Sequence, residues 1–436
     1  MIRAPRRLGL IFFPAYDWAI SPTHPEREER LLYTQDQLRE EGVFDIEGIE
    51  EHKPDLATEE DVMRVHFCFP DVAGVTTESH MVSAGGAIKA ARLVLEGGVD
   101  KAFALVRPPG HHAMKSVIGN RGFCNINNEA IMVEYIRDNY GPMKIAIVDT
   151  DCHHGDGTQD IYWNDPNILY ISIHQDGRTL YPGSGHLDEI GGPGAVGKTV
   201  NIPLPPETSE EGFLFALDEI VLPILRDFGP DLVINSAGQD NHYTDPITNM
   251  NFTAFGYAAL NDRLNPHIAV LEGGYSIQGA LPYVNLGIVL DMAGLDYSHV
   301  REPDYNPDAF RQDPRISGYI KRLRDAVLEQ YFHPPSYNNL PPFGSYVVRR
   351  KEIYYDTIGV SEYQIESIMR CKSCPGVWTL ESRSQLVPIA LGIEIPLGAC
   401  RSCQKEGLKL RDRAVKSGNY QVVQVIDRVK KEYYRA

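Results

Sequence analysis

A chain of 436 residues, 43% apolar and 23% charged, has the make-up of a soluble globular protein with room for one large α/β unit and a smaller one. Its net charge of -17 argues against a general nucleic-acid binder and suits a soluble protein or a cationic substrate. No run approaches the roughly 18 apolar residues of a membrane span, and seven cysteines, three scattered and four in two C-x-x-C pairs, indicate a reducing, cytoplasmic setting.

The N-terminus, MIRAPRRLGLIFFPAYDWAI, superficially mimics a signal peptide, but Pro14 and Asp17 interrupt it and no small-residue cleavage site follows. Leu8–Phe13 reads instead as the first core strand. A polar helical stretch runs to about Glu41, with His24 before it as a loop histidine. Thr58–His66 predicts a capped helix, Thr58 as N-cap with Asp61 three residues on. Ser83–Leu95 predicts a small-residue helix that packs closely on a sheet, and Ala102–Val106 a buried strand. That strand ends in Arg107-Pro108-Pro109-Gly110-His111-His112, two adjacent histidines placed for proton transfer. Gly122–Ile131, GFCNINNEAI, predicts a helix entry capped by amides, with Phe123 as core or pocket wall.

Lys144–Gln159, KIAIVDTDCHHGDGTQ, is the densest signal in the chain. An apolar run, Ile145–Val148, turns within one residue into Asp149, Asp151, His153, His154 and Asp156. Unpaired buried polar groups are costly, so carboxylates and imidazoles at the end of a buried strand point to a metal. Asp151 and His153 are two apart and face the same side of an extended backbone. Ile168–Ile173 predicts a further strand, followed by the loop Leu180–His186. Glu207–Arg226 predicts a helix with Phe213, Leu217, Ile220, Val221 and Ile224 on one face, and Leu232–Ile234 a strand. Asp240 lies just past that strand's end and is the third candidate ligand, although a lone Asp in a turn is usually a turn residue. His267–Leu271 leads into Glu272-Gly273-Gly274-Tyr275, whose phenol is a candidate donor.

RPPGHH, GFCNINN, VDTDCHHGDGTQ, the SAGQD…DP run and LEGGY, in this order over roughly residues 8 to 290, resemble the zinc-dependent histone deacetylase family. Its superfamily includes acetylpolyamine amidohydrolases and acetoin-utilisation proteins. The resemblance implies the three-layer arginase/deacetylase fold, a mostly parallel sheet with helices on both faces. Carried onto this chain, Asp151, His153 and Asp240 hold a catalytic zinc with one position open, and oxygen-rich ligation keeps iron(II) as an alternative. His111 and His112 match the tandem histidines, one the general base and the other an acid or electrostatic partner, with Asp149 and Asp156 orienting them. Tyr275 matches the oxyanion donor, and Gly122, Phe123 and Tyr181 match channel walls. Asp149, Asp151, His153 and Ser172 match the family's potassium site. The activity implied is hydrolysis of acyl-lysine or a related acylated amine. Acylpolyamines or other small amides are the alternative, and a non-catalytic acyl-lysine reader ranks below because no ligand, tandem histidine or tyrosine is missing. An arginase-like dinuclear site would need bridging ligands that Cys152 and His154 do not supply. Gln239 and Asn241 flank the third ligand and predict a more polar pocket, and the family's rim carboxylate has only Asp71 as a counterpart.

Beyond residue 333 the chain changes character. Pro334-Pro335 and Pro341-Pro342 mark a linker, dividing a catalytic domain over 1–333 from a C-terminal domain over 343–436. Residues 338–436 hold 16 Lys+Arg against 10 Asp+Glu, the remainder 26 against 49. Cys371, Cys374, Cys400 and Cys403 form two knuckles 25 residues apart, which predicts a closed, structural second zinc in a zinc-ribbon-like module. A redox dithiol and rubredoxin-like iron are the weaker alternatives. Val377–Ser382 and Ile389–Leu397 suit short strands, and Asn419–Arg435 reads as a terminal amphipathic helix packing on the catalytic domain or on a second subunit in a homo-oligomer. The module reads as a staple for a small domain, with docking of nucleic acid or an acidic partner as the second reading.

Overall fold

The computed structural model describes residues 2–13, 20–21, 23–303, 305–306, 310–334 and 340–436. In chain order the strands of its first part are β1 (Arg3–Phe12), β2 (Glu47–His52), β3 (Phe67–Cys68), β4 (Lys101–Leu105), β5 (Ser116–Val117), β6 (Ile145–Asp149), β7 (Ile168–Gln175), β8 (Thr199–Leu204), β9 (Leu232–Ala237) and β10 (Ile268–Leu271). Eight form one sheet in the order β2-β1-β4-β10-β9-β6-β7-β8, and every neighbouring pair is parallel. Parallel strands need crossovers, which bury both sheet faces and make the strands apolar throughout rather than alternating. The strand residues divide accordingly. Leu8, Leu10, Phe12, Phe103, Leu105, Ala146 and Val148 join one core; Ile11, Ala102, Ala104, Ile145 and Ile147 join the other. This is the three-layer architecture that the sequence predicts.

The helices around the sheet follow the patterns read from the sequence, with shifted ends. Thr58 caps Glu59–Met63 with a complete reciprocal box, its hydroxyl accepting from Asp61 N at 3.2 Å while Asp61 Oδ2 accepts from Thr58 N at 2.7 Å. The small-residue helix begins at Glu78, earlier than Ser83. The stripe over 207–226 is one helical run from Glu210 to Phe228 with a π turn over Leu217–Val221, and Pro223 opens its last segment. Pro334 is described, but residues 335–339 of the proline linker lie outside the described residues, as do Pro14 and Asp17.

The C-terminal part is a second sheet built from β11 (Tyr346–Tyr355), β12 (Val360–Met369), β13 (Trp378–Ser384), β14 (Ala390–Ile395), β15 (Val422–Asp427) and β16 (Glu432–Arg435), in that spatial order. β13 and β14 are the two strands expected between the knuckles. The expected helix over Asn419–Arg435 is wrong: the segment forms β15 and β16. Its apolar residues do recur at helical spacing, but Val422, Val423, Val425 and Ile426 are β-branched and sit beside one another, which favours a pleated, packed strand. The helix of this part is Arg401–Ser417, the crossover between the parallel strands β14 and β15.

The two sheets share a core. Phe67, Phe69, Met114 and Ile118, around the small β3–β5 pair, pack with Ile353, Tyr355, Leu380, Ala390, Ile426 and Tyr433 of the second sheet. Buried polar bonds cross the same seam. Gln424 accepts from Cys68 N at 3.0 Å and donates to the His66 carbonyl at 2.8 Å. Arg428 bridges Glu134 at 2.5 Å and Glu394 at 2.6 Å, and Lys115 pairs with Glu394. Arg349 and Lys351 both pair with Asp160. A buried charge is tolerated only when paired, so this seam is made of matched partners.

Candidate active site

In open parallel sheets, sites form outside the carboxyl ends of the strands. β4, β10, β9 and β6 are consecutive in the sheet, so the segments that leave their ends, RPPGHH, LEGGY, GQD and DTDCHH, are delivered to one place.

Asp151, His153 and Asp240 meet there. Their donor atoms all lie within 4.8 Å of one another, and His153 Nδ1 is 2.8 Å from Asp240 Oδ2 and 3.2 Å from Asp151 Oδ1. Both carboxylates are fully buried, and among the described residues their ion pairs are to histidines alone. Burial lowers the His153 imidazole, but attraction from Asp240 and Asp151 reverses this and lifts it to about 10; burial and the neighbouring Asp151 push Asp240 up. A buried pocket with more negative than positive charge is chemically suited to a divalent cation, and two carboxylate oxygens with one imidazole fit zinc or iron(II). Gly273 permits the close approach: a Cβ there would lie 2.5 Å from Asp240 Oδ2 and 2.6 Å from Asp151 Oδ2.

The tandem histidines stand beside this set, their ring centroids 4.1 Å apart. His111 Nδ1 is 3.2 Å from Asp149 Oδ2 and His112 Nδ1 is 2.9 Å from Asp156 Oδ1, so each Nδ1 is tied to a carboxylate. Burial opposes charge on His111, but Asp151 and Asp149 outweigh it and raise it to about 9. Burial and the charge of His111 push His112 down to about 3. Together with Gly122, Phe123, His153, Tyr181 and Tyr275, the two histidines line a cavity of about 240 Å³. Phe123 and Tyr275 meet edge-on at 5.4 Å. Gly122 has φ +52°, and a Cβ there would come within 2.6 Å of the His112 ring. Among the described residues the Tyr275 hydroxyl has no hydrogen-bond partner and is free to donate.

Several supporting residues carry no sequence signal. Arg121 grips Asp156 with both terminal nitrogens, at 2.9 and 2.5 Å. Glu272 Oε2 accepts from Gly110 N at 2.7 Å and His111 N at 3.0 Å, fixing the histidine turn; burial and Glu129 push its carboxyl well up, towards the protonated form. Arg30, fully buried, donates to the carbonyls of Gly274 at 2.7 Å and Glu272 at 2.5 Å, and its guanidinium stands 5.0 Å from the Tyr275 ring. Tyr170 donates to Asp149 Oδ2 at 2.9 Å. Of these, only Glu272 lay inside a motif.

Other expectations need correction. His24 is no bland loop residue, since its ring meets Phe123 edge-on at 4.3 Å. Asp71 does not line the cavity: its carboxylate caps Val72–Val75, accepting from Gly74 N at 2.8 Å. Gln239 and Asn241 do not make the pocket polar, because their amides bond to Asn285 and to the Thr150 carbonyl. Both nitrogens of His154 are spent on Ser184 and Gln159, which leaves no bridging ligand for a second ion. Cys152 is buried among apolar residues, as expected. Ser172 lies opposite Asp149 on β7, its hydroxyl 2.8 Å from His174 Nδ1.

A family model described as histone deacetylase domain matches residues 72–285. A probable deacetylase of Archaeoglobus fulgidus is 48% identical over 355 residues, covering 74% of this chain and 94% of the relative. The chain belongs to the histone deacetylase family. A histone deacetylase-like amidohydrolase of Pseudomonas aeruginosa is 36% identical over 231 residues, 51% of this chain and 60% of that protein. The crystal structure of the HDA15 HD domain superposes with a TM-score of 0.64 at 28% identity, covering 74% of this chain and 95% of that one. As a family member the chain is a deacetylase-type hydrolase, and the residues gathered at the four strand ends lie within or beside the matched segment.

The second cysteine set also assembles. The Sγ atoms of Cys371, Cys374, Cys400 and Cys403 all lie within 4.8 Å of one another, with Cys374 and Cys403 3.3 Å apart and Cys371 and Cys400 3.8 Å apart. Four thiolates at the usual ~2.3 Å from a tetrahedral zinc stand roughly 3.8 Å from each other, so the set fits a closed zinc site. Cys400 is the N-cap of Arg401–Ser417, which ties that helix to the β12–β13 connection.

Proposed function

We propose that the chain is a zinc-dependent amidohydrolase that removes acetyl or other acyl groups from acyl-lysine or a related acylated amine. What carries this reading is the convergence of Asp151, His153 and Asp240 on one buried point beside two carboxylate-tethered histidines. Zinc held by those three residues supplies Lewis acidity, lowering the pKa of a water and polarising the acyl carbonyl.

The chain's own residues do the rest. His112 is neutral, and Asp156 holds its Nδ1–H so that Nε2 keeps its lone pair to take the proton of the attacking water. His111, its Nδ1 tied to Asp149, is placed to stabilise developing negative charge and to protonate the departing amine. Tyr275 donates its hydroxyl to the oxyanion. Phe123, Tyr181 and Gly122 line the cavity that would take the acyl-amine chain. Potassium at Asp149, Asp151, His153 and Ser172 follows from the resemblance and is supported by the pairing of Asp149 with Ser172 across β6 and β7.

The same reading assigns residues 343–436 to a second structural unit closed by zinc on the four cysteines, acting as a staple. Among the described residues no helix is long and apolar enough to cross a membrane. A fluorogenic acetyl-lysine assay on zinc-loaded protein, with and without chelator, tests the activity: the expected result is turnover that chelation abolishes and added zinc restores.

A further inference from the structure

The turn between β11 and β12 crosses from the second sheet to the mouth of the catalytic cavity. Three contacts pin it. The Tyr355 hydroxyl donates to the Ser116 carbonyl at 3.0 Å, the Thr357 hydroxyl donates to Asn120 Oδ1 at 2.6 Å, and Ile358 packs over Gly119, where a Cβ would lie 2.8 Å from Ile358 Cδ1. Between these anchors, exposed Asp356 lines the same cavity as His111, His112, Phe123 and Tyr275. Its Oδ1 accepts from Thr357 N at 2.9 Å and Gly122 N at 3.2 Å; its Oδ2 has only the 3.4 Å contact to Gly122 N. Among the described residues it makes no ion pair. Among the described residues Asp356 is the one carboxylate on the wall of this cavity, and it comes from outside the segment that matches the family, residues 72–285.

We propose that Asp356 is a specificity-determining residue that receives a positively charged ammonium group on the substrate, beyond the acyl-amide bond, so that the preferred substrate is an acylated diamine or polyamine. This rests on the amide-hydrolase reading. One oxygen of the carboxylate is already occupied by two backbone N–H groups. The other is left to a single compact charge, which suits an ammonium better than a pair of peptide N–H donors. An unpaired charge at the mouth acts on both encounter and affinity, and a chain of net charge -17 attracts cations from a distance. The second sheet thereby supplies part of the substrate site.

The test compares kcat/KM of zinc-loaded full-length protein on a monoacetylated diamine and on a neutral monoacetylated alkylamine of equal length, at low and high salt. Wild type is expected to favour the diamine, with the preference shrinking as salt rises. Asp356→Asn keeps the bonds from Gly122 and Thr357 but removes the charge. It should cut the diamine-to-alkylamine ratio about tenfold, mainly through KM, and Asp356→Glu should recover much of the preference. An unchanged ratio in Asp356→Asn overturns the proposal. So does an equal loss on both substrates, which marks a purely structural role, and so does wild-type turnover confined to acetyl-lysine peptides. If wild type cleaves no acyl amide at all, the amide-hydrolase reading fails, and with it this one.

Discussion

The chemistry turns on a few side chains whose positions are dictated by residues far away in sequence. Tyr275→Phe removes one oxyanion donor and should lower kcat by about 10²–10³ with little change in KM, measured by steady-state kinetics on an acetyl-lysine substrate. Arg121 acts one step back: it holds Asp156, which holds His112. Arg121→Lys keeps the charge but loses the two-pronged grip, and about a tenfold drop in kcat, with a shifted pH–rate profile, is the expected outcome. The ligands and histidines were legible in the sequence because they cluster at strand ends. Arg121, Arg30 and Tyr170 were not, because a buried arginine or tyrosine has no local signature; its partners are brought to it only by the sheet order. Asp356 was hidden for the same reason, in a turn of the second sheet, far along the chain from the tandem histidines whose cavity it borders.

The elements themselves were read well wherever one signal dominated. Uniform apolar runs marked β4, β6, β7 and β9, and the Thr58 box marked its helix. At Asn419–Arg435 two periodicities overlap and the helical one misleads, and in Arg401–Ser417 lysines and arginines mask a narrow apolar face. One joint between elements makes a prediction of its own. His66 Nδ1–H donates to the Met114 carbonyl at 2.8 Å and its Nε2 accepts from Asn127 N at 2.9 Å, so only the neutral ring satisfies both. Burial pushes it down to about 4. The folded state therefore binds this proton more weakly than the unfolded chain. Stability from this group is intact above about pH 6.5 and is lost as pH falls towards 4, by about 1.4 kcal/mol per pH unit. Denaturant midpoints measured between pH 7 and 4.5 should fall, and His66→Gln should flatten that slope by one proton's share.

Over the whole molecule, the second sheet is integral to the first. Phe67, Phe69, Met114 and Ile118 lose their cover if the chain is cut after residue 333, at about 1.5–3 kcal/mol for each large side chain laid bare. Residues 1–333 expressed alone should aggregate or bind hydrophobic dyes, as solubility assays would reveal. On the proposed reading the four cysteines clip the β12–β13 connection to the crossover helix. Cys403→Ser should reduce bound zinc from two equivalents to one by elemental analysis and lower Tm by several degrees.

The seam between the sheets also sets a timetable for biosynthesis. The strip around β3 and β5 leaves the ribosome roughly 235 to 365 residues before the strands that will shield it. At the usual ~5–20 residues per second this is on the order of 10–75 s during which phenylalanines are bare. A nascent chain of this protein should therefore be a client of holding chaperones until its last strand emerges.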